Sequence, residues 1–164
     1  MGRGELVPDS VIIDIVDERL DAGDAGNGFL LDGFPRTEPQ AEALDGILEK
    51  RGWTLDGAVS FKVPRAVLVS RLSGRRTCRE CGAMYHVVFN PPAKDGICDR
   101  CGGALYQRDD DREKTIEARM EVYDRESAPV LEFFAARGLL REVDGTKDVE
   151  EVFAEILRGV GQAA

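Results

Sequence analysis

Cys78-Arg-Glu-Cys81 and Cys98-Asp-Arg-Cys101 form two CxxC pairs separated by 16 residues. No other feature constrains this 164-residue chain so tightly. A tetrahedral thiophilic ion takes two close thiolates from each of two turns, and this spacing supplies them. Gly82 and Gly102-Gly103 follow the pairs, where a tight turn around a metal needs residues free to adopt positive φ. Two competing readings are a pair of disulfides in a secreted protein and four unrelated buried thiols. The duplicated spacing weighs against unrelated thiols. The lack of a signal-peptide apolar region at the N-terminus weighs against disulfides. Four cysteines close the coordination sphere, so the expected metal is structural, with zinc favoured and iron sharing such sites. The segment is too short for a core of its own and needs such a staple.

Composition narrows what surrounds the staple. Hydrophobic residues make up 43% and charged residues 32%, which excludes a disordered or collagenous chain. No apolar run reaches membrane-spanning length. A formal charge of -9 and the lack of an aromatic-basic stripe argue against nucleic acid and anionic membranes as partners. That also counts against a nucleic-acid-binding zinc ribbon, the module to which such knuckles can belong. Met1-Gly2 opens like an acylation signal, but Leu6 stands where that signal wants Ser or Thr. The 22 basic residues divide into 17 Arg and 5 Lys. Genome composition explains an Arg excess, and so does a phosphate site gripped by planar forks of donors.

Helical and extended patterns alternate on either side of the cysteines. Val11, Ile12, Ile15, Val16 and Leu20 give a helical apolar face after Pro8-Asp9. Gly28 to Asp32 is an apolar run between glycines and predicts a buried strand. Ala41, Leu44, Ile47 and Leu48 mark a second helix with Pro39 in its first turn. Ala58 to Val63 reads as a strand and Ala66 to Leu72 as a helix. Beyond the break from Gly74 to Asp111, helices are predicted over 115–127 and 130–137, then a strand over 139–143. A last helix starts at Asp148, with Glu151 placed like a capping box. This alternation implies an α/β fold, a parallel sheet with flanking helices and one β-prone insertion.

Leu31-Asp32-Gly33-Phe34-Pro35-Arg36-Thr37 sets a carboxylate and an arginine beyond an apolar run, at the sheet edge where open α/β folds bind ligands. Such an Asp can hold a magnesium-bound water, and such an Arg can grip a phosphate. A solvated turn with a casual salt bridge is the plainer reading. The residues Gly28-Phe29-Leu30-Leu31-Asp32-Gly33-Phe34-Pro35-Arg36-Thr37 with Gln40 resemble the signature of the adenylate kinase family. The resemblance runs on, in order, through Gly4 to Asp9, Gly74-Arg75-Arg76, Tyr85 to Pro92, Arg108 to Asp111 and Val143 to Lys147. The cysteine pattern resembles the zinc-bearing lid of the family's long form.

The resemblance implies a P-loop-kinase-like parallel sheet, reversible phosphoryl transfer from ATP to AMP giving two ADP, and Mg²⁺ with the ATP. It implies a cytoplasmic monomer, with an AMP-site part of the core over 1–74, a zinc lid over 75–111 and the rest of the core over 112–164. Arg36 would bind the AMP phosphate and Gln40 the adenine, with Glu5, Leu6, Val7 and Gly33 bordering that site. Asp32 would sit near the magnesium water shell. Arg71, Arg75, Met84, Tyr85 and Lys147 would line the ATP site. Arg108 and Arg119 would converge on the transferring phosphoryl group. Cys78, Cys81, Cys98 and Cys101 would hold the lid's zinc. His86, the lone histidine, looks like an acid/base group in isolation, but this chemistry needs none and a packing role is expected.

One departure stands out. Members of the family open with a strand and a GxxxxGK[ST] loop whose amides and lysine cradle phosphates, and no such motif occurs in these 164 residues. The N-terminal strand and P-loop are therefore expected to be absent, and the chain alone to have little activity. Either Met1 is an internal methionine or the chain is a fragment. The gap should leave an exposed apolar edge. The alternatives are a truncated, non-catalytic nucleotide-binding protein and, behind it, a zinc-ribbon interaction module. Another nucleoside monophosphate in place of AMP also stays open.

Overall fold

The computed structural model describes residues 7–161. They fall into two compact units, one of residues 63–121 and one combining 7–62 with 122–161. Glu5 and Leu6 lie outside the described residues.

The larger unit is α/β. Its helix α1 (Asp9–Leu20) buries Val16 and Leu20. Helix α2 (Glu38–Arg51) starts where the Thr37 hydroxyl accepts the Gln40 N–H, and it stops at Gly52 in the left-handed region, φ 66°. Leu44, Ile47 and Leu48 of α2 meet Val16, Leu20 and Ala25 in one apolar cluster. Arg51 clamps the two helices from outside, pairing with Asp17 at 2.8 Å and with Asp21. Strand β1 (Ala58–Lys62) pairs in parallel with β5 (Leu140–Asp144), Ala58 opposite Leu140 and Lys62 opposite Asp144. Parallel strands need a long crossover, and this one is the whole intervening chain. Helix α5 (Ala128–Ala136) buries Val130 and Phe134 against Ala41. Asp148 caps α6 (Val149–Val160), its carboxylate accepting the Glu151 N–H at 3.0 Å as the capping box predicts.

Two expectations need correction. Gly28 to Asp32 is not a strand: among the described residues the parallel sheet has two strands, and this run is outside them. A strand exists only as one side of a ladder, and these residues have no ladder partner among the described residues. Phe29 and Leu31 still pack on the α1–α2 cluster, whereas Leu30 is 86% exposed. Phe61 on β1 is likewise 53% exposed. The second correction concerns the helix expected over 115–127. Helix α4 (Glu113–Val122) gives way to a π-helical turn over Tyr123–Ser127. Pro129, early in α5, has no N–H and crowds the carbonyl four residues back, so the ladder widens there.

The smaller unit begins with α3 (Arg65–Ser73). An antiparallel sheet follows, with β2 (Arg75–Cys78) between β3 (Met84–His86) and β4 (Leu105–Tyr106). Gln107 ties the start and end of this sheet together, its Nε2 donating to Ser73 O at 2.8 Å and Asp111 O at 2.9 Å. Among the described residues the buried side chains of this unit are few: Cys78, Cys98, Ile116 and Asp111.

Candidate functional site

The two CxxC pairs fold into matching turns. Gly82 N–H donates to Cys78 O at 3.2 Å, and Gly102 N–H donates to Cys98 O at 2.8 Å. Both glycines have positive φ, 70° and 76°. Gly103 is required for a different reason: a Cβ there would lie 2.6 Å from Glu80 Cγ and 3.0 Å from Cys78 Sγ.

These turns bring four Sγ atoms within 4.8 Å of one another. Cys78 and Cys101 are 3.5 Å apart, Cys81 and Cys98 3.6 Å, far beyond a disulfide bond. Metal–sulfur bonds of 2.3 Å set a tetrahedron edge of about 3.8 Å. The donors therefore fit a four-coordinate thiophilic ion.

Electrostatics agree. The Tyr85 hydroxyl, 3.4 Å from Cys98 Sγ, brings the Cys98 thiol down to about 6. Backbone N–H groups, that of Cys81 foremost, lower Cys78 as well. Cys101 goes the other way, to about 12: an N–H bond from Gly103 favours its thiolate but is outweighed by the neighbouring sulfurs. Cys78 and Cys98 are thus eased toward thiolate while Cys101 is held protonated by its neighbours, a conflict that a bound cation relieves.

The same unit gathers the arginines expected at the phosphoryl group. Arg108 grips Asp110 bidentately, Nε to Oδ1 and Nη2 to Oδ2, both at 2.9 Å. Arg119 Nη1 reaches Asp110 O at 3.3 Å and Oδ2 at 3.9 Å. Arg75 Nη1 lies 3.5 Å from Oδ1 of Asp111, a fully buried carboxylate without a hydrogen-bond partner. Three guanidinium groups thus converge on two adjacent carboxylates. Asp110 and Asp111 were not singled out from sequence, although an acidic triplet directly after Arg108 was the available signal. Arg71 stands in the last turn of α3, and Met84 is 65% exposed on β3. His86 spends both ring nitrogens locally. Nδ1 accepts the Val88 and Phe89 N–H groups at 3.0 and 3.1 Å, which leaves the proton on Nε2, 3.3 Å from Ser70 O. The ring lies where a Cβ on Gly74 would be, 2.2 Å from Nε2.

The larger unit holds the other candidates. Gly33, at φ 72°, lets the Arg36 guanidinium fold back so that Nε donates to Gly33 O at 2.6 Å. A Cβ on Gly33 would sit 2.6 Å from Arg36 Nη2. The Arg36 N–H donates to Gln40 Oε1 at 2.8 Å, and Gln40 Nε2 donates to Asp9 Oδ1 at 2.7 Å. Thr37 Oγ1 donates to Asp9 Oδ2 at 3.0 Å, and Ser127 Oγ to Arg36 O at 2.8 Å. Gln40 is thereby buried with its amide engaged, while Arg36 and Asp32 face solvent. Val7 is half-buried ahead of α1. Lys147 pairs with Glu155, and the nearby Gly145 N–H donates to Lys62 O at 3.0 Å.

With that geometry in place, comparison with known proteins decides the lineage. The family model for adenylate kinase matches residues 1–139. The chain belongs to the adenylate kinase family. An adenylate kinase of Carboxydothermus hydrogenoformans is 57% identical over 156 residues, covering 95% of this chain and 73% of that one. One from Methanocella arvoryzae is 52% identical over 164 residues, covering 100% and 76%. One from Archaeoglobus fulgidus is 51% identical over 156 residues, covering 95% and 72%. The four cysteines and the arginines just described all lie within the stretch that the family model covers. No helix among the described residues is long and apolar enough to cross a membrane.

Proposed function

We propose that the protein is an adenylate kinase that catalyses reversible phosphoryl transfer from ATP to AMP, giving two ADP. The observation that carries the reading is the meeting of Arg108 and Arg119 at Asp110 beside the Arg75–Asp111 pair. Phosphoryl transfer asks for positioned positive charge more than for covalent chemistry, and three forks held in place supply it. Arg36 is the AMP-phosphate ligand, kept in register by the Gly33 carbonyl and by the Thr37–Gln40–Asp9 network. Gln40 with Val7, Glu5, Leu6 and Gly33 bounds that site, and Arg71, Met84, Tyr85 and Lys147 belong to the ATP side. Asp32, an exposed carboxylate, suits a hard cation and holds the water shell of the Mg²⁺ that neutralises nucleotide charge. Residues 75–111 form the lid, and zinc in the four cysteines is its structural staple. Reduced thiols of this kind suit the cytoplasm. The substrates are small nucleotides, and the protein works as a monomer.

The 164 residues by themselves turn over slowly, since their sequence contains no GxxxxGK[ST] cradle. Calorimetry with AMP and ADP tests the nucleotide reading. Binding that weakens about 10–100-fold on Arg36→Ala is expected, the worth of a bidentate charged contact. Equal binding by the variant overturns the Arg36 assignment. A coupled assay with ATP, AMP and Mg²⁺ tests the slow turnover, and full family-like rates would refute it.

A further inference from the structure

Tyr85 carries two assignments that pull apart: a place on the nucleotide side of the lid, and a hydroxyl turned toward sulfur. Its oxygen is 3.4 Å from Cys98 Sγ and accepts the Asp99 N–H at 2.8 Å. The second bond fixes the first. With a lone pair committed to Asp99, the O–H proton is free to point at Cys98. A metal-bound thiolate has no proton to give, so Tyr85 is the donor and Cys98 the acceptor.

The backbone of Tyr85 pairs across the sheet with Arg76, and its neighbour His86 pairs with Arg75. The first knuckle lies on the same strand as Arg75, ending β2 at Cys78. The second knuckle, 98–101, has no strand of its own. Its backbone reaches β2 through β4, the Arg79 N–H donating to Ala104 O at 3.0 Å, and the Tyr85 side chain adds a direct tie to β3. Asp99 extends the tie, its carboxylate accepting the Ala93 N–H at 3.0 Å.

We propose that Tyr85 is a positioning residue of the metal centre, donating a hydrogen bond to the metal-bound Cys98 sulfur and anchoring the second knuckle to β3, the partner of the strand that bears Arg75. The inference rests on the four cysteines holding a metal. A hydrogen bond to a coordinating thiolate lowers the energy of its lone pairs, so it tunes the metal–sulfur bond as well as placing it.

The test uses the full chain loaded with Co²⁺, beside Tyr85→Phe and Tyr106→Phe. Tyr106 is the control, a tyrosine of the same sheet whose ring lies 4.3 Å beneath the Arg79 guanidinium. In Tyr85→Phe the sulfur-to-cobalt charge-transfer band moves to longer wavelength, and a chelator strips the metal roughly 10–100-fold faster. Tyr106→Phe changes neither. An unmoved band with an unmoved release rate in Tyr85→Phe overturns the inference, and so does an equal band shift in Tyr106→Phe. Should Tyr85→Phe not fold, a ring-fluorinated tyrosine at position 85, with its more acidic hydroxyl, must shift the band the opposite way. No shift there also overturns it. A wild-type chain that takes up no Co²⁺ brings down the metal reading itself, a separate and recognisable failure.

Discussion

The two units hold themselves together by opposite means. The larger one buries Leu20, Leu44, Ile47, Leu48, Val130 and Phe134 in two apolar clusters, and area removed from water carries its stability. Among the described residues the smaller one buries a single aliphatic side chain, Ile116, with two cysteines and an aspartate. So little apolar burial does not offset the entropy of ordering a sheet and two knuckles, and a metal held by the four sulfurs would. A hydrophobic core degrades by degrees as methylenes are removed. A metal staple is present or it is not.

The sharpest way to break that contrast is Cys98→Ser. Metal content should fall from stoichiometric to none, and amide exchange protection should vanish across β2, β3 and β4 while α2 keeps its own. Survival of the β2–β4 amides would show that the small unit has a core after all. Next in size is Leu44→Ala, at a residue only 2% exposed. It should cost about 2–5 kcal/mol in a urea melt and leave the metal content untouched. A weaker effect is expected from Asp148→Ala, which removes the cap of α6: about 1 kcal/mol, read in the same melt. The smallest concerns Asp144, whose carboxyl is held below its usual range by the Thr146 hydroxyl and amide. A carboxylate lowered in the fold stabilises above its unfolded pKa and loses that contribution as pH falls through the folded value. Thr146→Ala should therefore lower the melting temperature slightly at neutral pH, and the gap from wild type should close on acidification below the carboxylate range. A gap that widens in acid would reverse the sign.

What could be read from sequence follows the same divide. The knuckles were legible because everything they need lies within a few residues: CxxC, then a glycine at positive φ. The capped start of α6 was legible for that reason, Asp148 standing three residues before the amide it accepts. Gly28 to Asp32 misled because its apolar pattern reports burial preference, whereas strand formation depends on a partner elsewhere in the chain. The turn at 123–127 was hidden because Pro129 acts backwards, on residues whose own pattern is helical. The Tyr85–Cys98 contact joins residues 13 apart through a fold the sequence does not display, and Arg119 reaches Asp110 only because α4 turns it there.

Asp110 has a consequence for how a phosphate would arrive. Arg108 and Arg119 do not wait as bare cations, because a carboxylate of their own chain already offsets one of their two charges. A nucleotide phosphate entering there makes an exchange rather than an addition, one anion taking the seat of another. The displaced carboxylate returns to water and supplies part of the negative charge that salt would otherwise compete to replace. Nucleotide affinity should accordingly fall with ionic strength less steeply than the number of arginines suggests, and Asp110→Asn should steepen it.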